Sequence, residues 1–395
     1  MRPRLDDDGL DAALREHLVW ITLRSDLLSR HWGRDTFLRC GVALPKGYHD
    51  VNHPRRSWPA IYVVPGFGGR DRGAVRYVRM LHTRGAEELA PPAVHIVLDP
   101  EGPYGHHGFA DSVANGPVGT ALVTELIPYL ERRFRLIAKP EARFVTGHSS
   151  GAWSALWLTL HAPETFGGCW ASAPDPVDFH AFQMTDLYRD PSLFEMADGT
   201  DTPSFRTPAA PGVDKVRMTV RQEIGVEHAM APDGDSGQQW GAWLAMFSAL
   251  DATTGKPRWM IDPVAGTIHP EVIALDWSKY DIAKLVDADW ERYKAILPRI
   301  RLAVGTQDSF YLNRAVTRWR NALAQRQAPT RATSDGATPA AATAPAELPA
   351  DGEMTLGDGP GYIWIIRNAT HDSIMAPTTL RWAKEMRQAI EQSGL

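Results

Sequence analysis

At 395 residues and 44% hydrophobic side chains, the chain can bury a substantial core as one large α/β domain or two smaller ones, which excludes a disordered or fibrous protein. Its formal charge of −5, without long runs of Lys or Arg, lacks the electrostatic footprint of a nucleic-acid or anionic-membrane binder. The two cysteines, Cys40 and Cys169, have no metal-ligand spacing and are expected as free, buried thiols.

The opening stretch, MRPRLDDDGLDAALREHLVW, puts acidic residues where an export signal needs an apolar centre. No later segment offers about 18 uninterrupted apolar residues for a membrane span. Read as it stands the chain is cytoplasmic, and an exported chain that had lost its leader would read the same. Residues 1–35 form an N-terminal segment whose strand, VWITL at 19–23, is expected to pair antiparallel with a second at 36–44 as a sheet edge.

Short apolar, β-branched runs then recur: IYVVPG (61–66), VHIVLD (94–99), RFVTG (143–147), CWASAP (169–174), IRLAVG (300–305) and YIWIIRN (362–368). Nearly continuous apolar strands belong to a sheet covered on both faces. Helical spacing of Val118, Leu122, Leu126, Tyr129 and Leu130, and of Trp153, Leu156, Trp157 and Leu160, places helices between them. Alternating β and α with parallel crossovers predicts a mostly parallel, doubly wound α/β sheet.

Two stretches interrupt this rhythm. Residues 175–298 are too long for a crossover and hold Trp240, Trp243, Trp259, Trp277 and Trp290, so they are read as an inserted, Trp-rich cap between core segments 36–174 and 299–395. Its aromatics either form the cap's own core or line a substrate cleft, and the first is the commoner use. Residues 328–352 hold nine Ala, four Pro and four Thr in 25 positions, too little hydrophobic mass to pack, and are expected to be a disordered loop.

The chemistry concentrates at strand ends. Gly147-His148-Ser149-Ser150-Gly151 leaves a strand and enters a helix, the context in which a sharp turn lifts a serine clear of the sheet. A serine is a poor nucleophile unless a base lies within hydrogen-bond reach. In an α/β-hydrolase the acid and the histidine follow in that order after later strands; Asp308 comes directly off IRLAVG and His371 directly off YIWIIRN. Asp308 would hold one imidazole nitrogen of His371, which would take the Ser149 proton. Asp372 and His148 are poorer candidates, because neighbours on a chain point apart. Backbone donors for an oxyanion are expected from the amides of Ser150 and of Phe67, in Pro65-Gly66-Phe67-Gly68-Gly69. That glycine run lacks the spacing of a phosphate cradle.

VVPGFGG (63–69), LDPEGPYGHHGFADS (98–112), NGPVGTALVTELIPYLE (115–131), GHSSGAW (147–153), GTQDSFYL (305–312) and His371 together resemble the esterase D or enterochelin-esterase-like group of α/β-hydrolases, which includes feruloyl and acetylxylan esterases. The resemblance covers roughly 36–174 and 299–393. It implies an α/β-hydrolase fold and a serine esterase with no metal or organic cofactor, with Ser149, Asp308 and His371 as triad and Phe67 and Ser150 as oxyanion donors. Pro65-Gly66 stands where many members carry His-Gly, and the insertion has no counterpart in compact members, so substrate choice does not carry over. The expected partner is a small-molecule or carbohydrate-linked ester, feruloyl or acetyl esters first. The same machinery could pass the acyl group to another alcohol, and a non-catalytic carbohydrate- or protein-binding module is the rival from another class.

Weaker signals are a partial calcium-loop pattern at Asp233-Gly234-Asp235-Ser236-Gly237, without the closing glutamate, and His106, His107, His228 and His269, which lack metal-ligand spacing and are expected as loop histidines.

Overall fold

The computed structural model describes residues 9–85, 88–210, 213–328 and 349–393; the loop expected at 328–352 falls mostly outside them. A nine-stranded sheet is built from β1 (Leu18–Arg24), β2 (Phe37–Ala43), β3 (Ala60–Val64), β4 (Val94–Leu98), β5 (Arg143–His148), β6 (Gly168–Ser172), β7 (Ile300–Gly305), β8 (Gly352–Leu356) and β9 (Gly361–Ile366). Their spatial order is β1-β2-β4-β3-β5-β6-β7-β9-β8.

β1 and β2 pair antiparallel, with Ile21 opposite Cys40, and β2 joins β4 antiparallel. From β4 through β9 the neighbouring strands run parallel. Edge strand β8 closes the sheet antiparallel to β9 and is absent from the sequence reading, because its largely exposed GEMTL run has no continuous apolar face. Every residue of β3, β4, β6 and β7 is buried, which a parallel sheet achieves only with cover on both faces. The direction in which successive strands are added reverses between β3 and β5, the position where open α/β sheets leave a crevice beyond their strand ends.

Among the described residues seven α-helices have eight or more residues: α1 (Ala74–His82), α2 (Ile127–Phe134), α3 (Ser150–His161), α4 (Val220–Met230), α5 (Gln239–Phe247), α6 (Asn313–Gln327) and α7 (Met375–Gln392). The sequence pattern makes α3 amphipathic, but every residue from Ser150 to Leu160 is buried. The reason is the 175–298 segment, which covers the face that would otherwise meet water. Ring centroids of Trp153 and Phe247 are 5.4 Å apart, and those of Trp157 and Tyr280 5.3 Å.

That segment contains an antiparallel hairpin (Pro203–Ala210 with Val213–Thr219), α4 and α5. Thr219 and Gln222 form a capping box at the start of α4. The Glu227 carboxylate accepts from the amides of Trp240 and Gly241, satisfying orphan donors at the start of α5. Trp240, Trp243 and Trp277 are buried, and Trp259 and Trp290 half-buried, in one hydrophobic cluster shared with the sheet. Each fully buried aromatic ring contributes on the order of 2 kcal/mol, so the segment is held as core rather than as a loose flap. Cys40 and Cys169 are both buried, and no disulfide joins them. Among the described residues no helix is long and apolar enough to cross a membrane.

Candidate active site

The turn after β5 holds Ser149 at φ 58°, ψ −131°, a region non-glycine residues occupy only when their surroundings impose it. The Ser149 amide donates to the Ser172 carbonyl at 2.9 Å, fixing the turn to the end of β6. Both flanking glycines are required by contact. A Cβ at Gly147 would lie 2.1 Å from the Gly151 carbonyl oxygen, and one at Gly151 would lie 2.0 Å from that of Val64. Strand, turn and helix therefore pack backbone to backbone.

Asp308 and His371 leave the ends of β7 and β9 and meet: the His371 Nδ1–H donates to Asp308 Oδ2 at 2.8 Å. Asp308 is 0% exposed and His371 5%. The other carboxylate oxygen accepts from the Phe310 and Leu312 amides at 2.9 and 3.2 Å, which leaves Oδ2 for the imidazole. The two loops are also joined through the main chain, Gln307 N–H to the Ala369 carbonyl at 3.0 Å. Burial pulls the His371 pKa down, but the hydrogen bond and charge of Asp308, with the charges of Asp372 and Asp175, outweigh it and hold the group above its ordinary value.

His148 lies beside this pair, its ring centroid 4.5 Å from that of His371. Its Nδ1 is 2.9 Å from the Ser172 hydroxyl. Burial, then the neighbouring His371, pushes its pKa down to about 4, so it stays neutral near pH 7. Among the described residues no hydrogen bond joins the Ser149 hydroxyl to His371. Such contacts are commonly loose until substrate draws them in.

The loop after β3 closes over the turn. A Cβ on Gly66 would come within 3.0 Å of the His148 carbonyl oxygen and 3.2 Å of the Ser149 Cβ, so a side chain here would require the turn to give by a few tenths of an ångström. Gly69 N–H bonds the Gly66 carbonyl at 2.9 Å, and Gly68 takes φ +75° to make the turn. Among the described residues the Phe67 and Ser150 amides have no hydrogen-bond acceptor. His106 braces the loop: its Nε2–H donates to the Pro65 carbonyl at 2.9 Å while its Nδ1 accepts from Gly108 N–H at 3.2 Å. Burial pushes His106 down to about 4 and His107 to about 3, consistent with neutral rings serving as hydrogen-bond partners.

Asp175, just beyond β6, does not figure among the sequence candidates although it too follows a strand. It is 4% exposed, and its Oδ2 accepts from the Trp243 indole N–H at 2.8 Å. Burial raises its pKa to about 6 against the pull of Trp243, Ser150 and His371. Asp372 is exposed at the surface. Of the weaker motifs, Asp235 pairs with Lys256 and the Ser236 hydroxyl donates to Glu227 at 2.8 Å. His228 lies edge-on to Trp259, and His269 Nδ1 is 3.4 Å from the Trp259 carbonyl. Among the described residues no cluster of three or more His, Cys, Asp or Glu side chains could hold a metal ion.

A family model described as Putative esterase matches residues 35–338. Two Mycobacterium tuberculosis proteins, Esterase MT1326 and Esterase Rv1288, are each 30% identical over 120 residues, which is 29% of this chain and 24% of theirs; the match thus spans about a quarter of these relatives' length. Among solved structures, a ferulic acid esterase superposes with a TM-score of 0.51 at 14% identity, covering 94% of this chain and 98% of its own. That likeness is one of fold, and the fold is the α/β-hydrolase fold.

Proposed function

The chain belongs to the Putative esterase family, and from that membership we propose that it hydrolyses carboxylic esters through a covalent acyl-Ser149 intermediate. The observation that carries the reading is the buried 2.8 Å bond between Asp308 and His371, whose ring lies 4.5 Å from that of His148, the residue preceding a serine held on a positive-φ turn. His371 Nδ1 donates to Asp308, which leaves Nε2 to accept a proton. Ser149 Oγ attacks the ester carbonyl carbon as its proton passes to Nε2, and Asp308 stabilises the imidazolium that forms. The carbonyl oxygen becomes an oxyanion, received by the Phe67 and Ser150 amides. Collapse breaks the bond to the alcohol, which leaves with the proton from His371. Water then repeats the sequence on the acyl-enzyme, releasing the acid and restoring Ser149.

We take the substrates to be feruloyl or acetyl esters of carbohydrates, from the family resemblance alone. Two measurements test the proposal: labelling of Ser149 in the folded protein by a fluorophosphonate, and turnover of p-nitrophenyl esters of increasing acyl length, methyl ferulate and acetylated xylan. A folded protein that gave no Ser149 adduct and cleaved none of these esters would refute it.

A further inference from the structure

The inserted segment reaches the carboxylate partner of His371 through one side chain. Arg206 lies on the first hairpin strand, is 9% exposed, and turns inward. Its Nε–H donates to the Asp308 carbonyl at 2.9 Å, and its own amide donates to the Ser309 carbonyl at 2.9 Å. The guanidinium is held in turn: Asp214 of the second hairpin strand pairs with Nη1, the Tyr311 ring lies 4.3 Å beneath it, and Asn313 Oδ1 is 3.5 Å from Nη2. Next to it, Phe205 packs on Phe310 with centroids 5.1 Å apart, and Phe310 meets His371 edge-on at 4.9 Å.

We propose that Arg206 is a positioning residue for the Asp308–His371 pair, so that the 175–298 segment is a working part of the catalytic apparatus; this rests on reading those two residues as acid and base. Asp308 is gripped from two directions. The Phe310 and Leu312 amides hold one carboxylate oxygen, and Arg206 holds the peptide carbonyl of the same residue. A charge-assisted bond to a buried carbonyl is stronger than a neutral one and restricts rotation of the 308–309 peptide. With the main chain fixed, the remaining oxygen is directed at His371 Nδ1. Without Arg206 the carbonyl loses that donor, the loop gains freedom, and the imidazole loses alignment at a reacting centre where displacements of about 1 Å cost up to about 100-fold in rate.

The test uses the full chain with Arg206→Met, which keeps the aliphatic stem and removes every donor, and Arg206→Gln, which keeps one neutral donor. For each, kcat per active site is measured on p-nitrophenyl acetate after titrating the sites with a fluorophosphonate, together with KM, thermal melting, and the downfield proton resonance of His371 Nδ1–H. The expected result is kcat per site lower by about 10- to 100-fold in Arg206→Met with KM changed less than about 2-fold, a displaced or broadened downfield resonance, and an intermediate value for Arg206→Gln. Should one variant not fold, the other is read by the same criteria. Unchanged kcat per site with the resonance in place would overturn the inference, as would a loss confined to the number of folded sites. Asp308→Asn, assayed in parallel, separates the two readings. If it stays active, the triad itself is wrong; if it is crippled while the Arg206 variants are not, only the role of Arg206 fails.

Discussion

The imidazole of His371 donates to the carboxylate of Asp308 at 2.8 Å, with both groups buried and with the remaining carboxylate oxygen occupied by main-chain amides. One tautomer of the ring is thereby selected. A lone pair is left on Nε2.

Replacing either end of this arrangement should be costly in turnover. Ser149→Ala should remove fluorophosphonate labelling and nearly all ester cleavage. Asp308→Asn should lose roughly 10⁴-fold in kcat, because an amide there favours the wrong tautomer. Steady-state kinetics on a p-nitrophenyl ester checks both. Full activity of the second variant would mean that another residue serves as the acid.

The pH profile should carry the signature of His371. The base must be neutral to accept a proton, and its pKa is held above the ordinary 6.5, so kcat/KM should fall as pH drops through a value higher than that. Asp175→Asn removes one of the negative charges that favour the imidazolium, so the acid limb should move to lower pH. A shift to higher pH, or none, would contradict this assignment of charges.

Asp175 should also mark the stability curve. Its folded pKa of about 6 lies above the ordinary carboxylate value of 3.8 because burial penalises the charged form. Stability from this group is fully present below about pH 3.8 and is lost as pH rises through about 6. Asp175→Asn is uncharged throughout, so its melting temperature relative to the parent protein should be higher at about pH 8 than at about pH 4. Calorimetry at the two pH values decides.

The turn at Ser149 stores backbone strain. Glycine adopts positive φ freely, so Ser149→Gly should be more stable than Ser149→Ala by about 1 kcal/mol, although both are inactive. Equal denaturation midpoints in the two variants would show that the turn is not strained.

Glycine contacts offer a contrast between two positions. An alanine at 151 would drive a methyl to 2.0 Å from the Val64 carbonyl oxygen, so Gly151→Ala should cost several kcal/mol or prevent folding. Gly225 is exposed in α4, and a methyl group there would meet nothing within 4 Å. It is ordinary helix, so Gly225→Ala should stabilise by roughly 0.5–1 kcal/mol. Urea denaturation of both compares them directly.

What could be read in the sequence follows from how local each feature is. The runs at 61–66, 94–99, 143–147 and 300–305 are strands because their continuous apolar character suits only a sheet covered on both sides, and the ends of such strands are where Asp308 and His371 are to be sought. The hairpin at 203–219 carries two prolines in its first strand, which masks it as a strand signal, and β8 at the sheet edge has too little apolar surface to stand out. α3 reads as amphipathic because only its near neighbours are visible in sequence, while Phe247 and Tyr280, which bury its outer face, lie far along the chain. Asp175 does carry a local signal, an acid just past a strand. Arg206 has none, since its bond to Asp308 joins residues about a hundred positions apart.

The rings of Trp153, Trp157, Phe247 and Tyr280 tie two distant parts of the chain into one packed unit. Because they interlock the helix starting beside Ser149 with a segment far downstream, that segment cannot be traded wholesale with a relative's without opening holes beneath the turn. New preferences would have to be acquired one surface substitution at a time, and laboratory evolution of this enzyme should begin on the outward loops rather than with grafts.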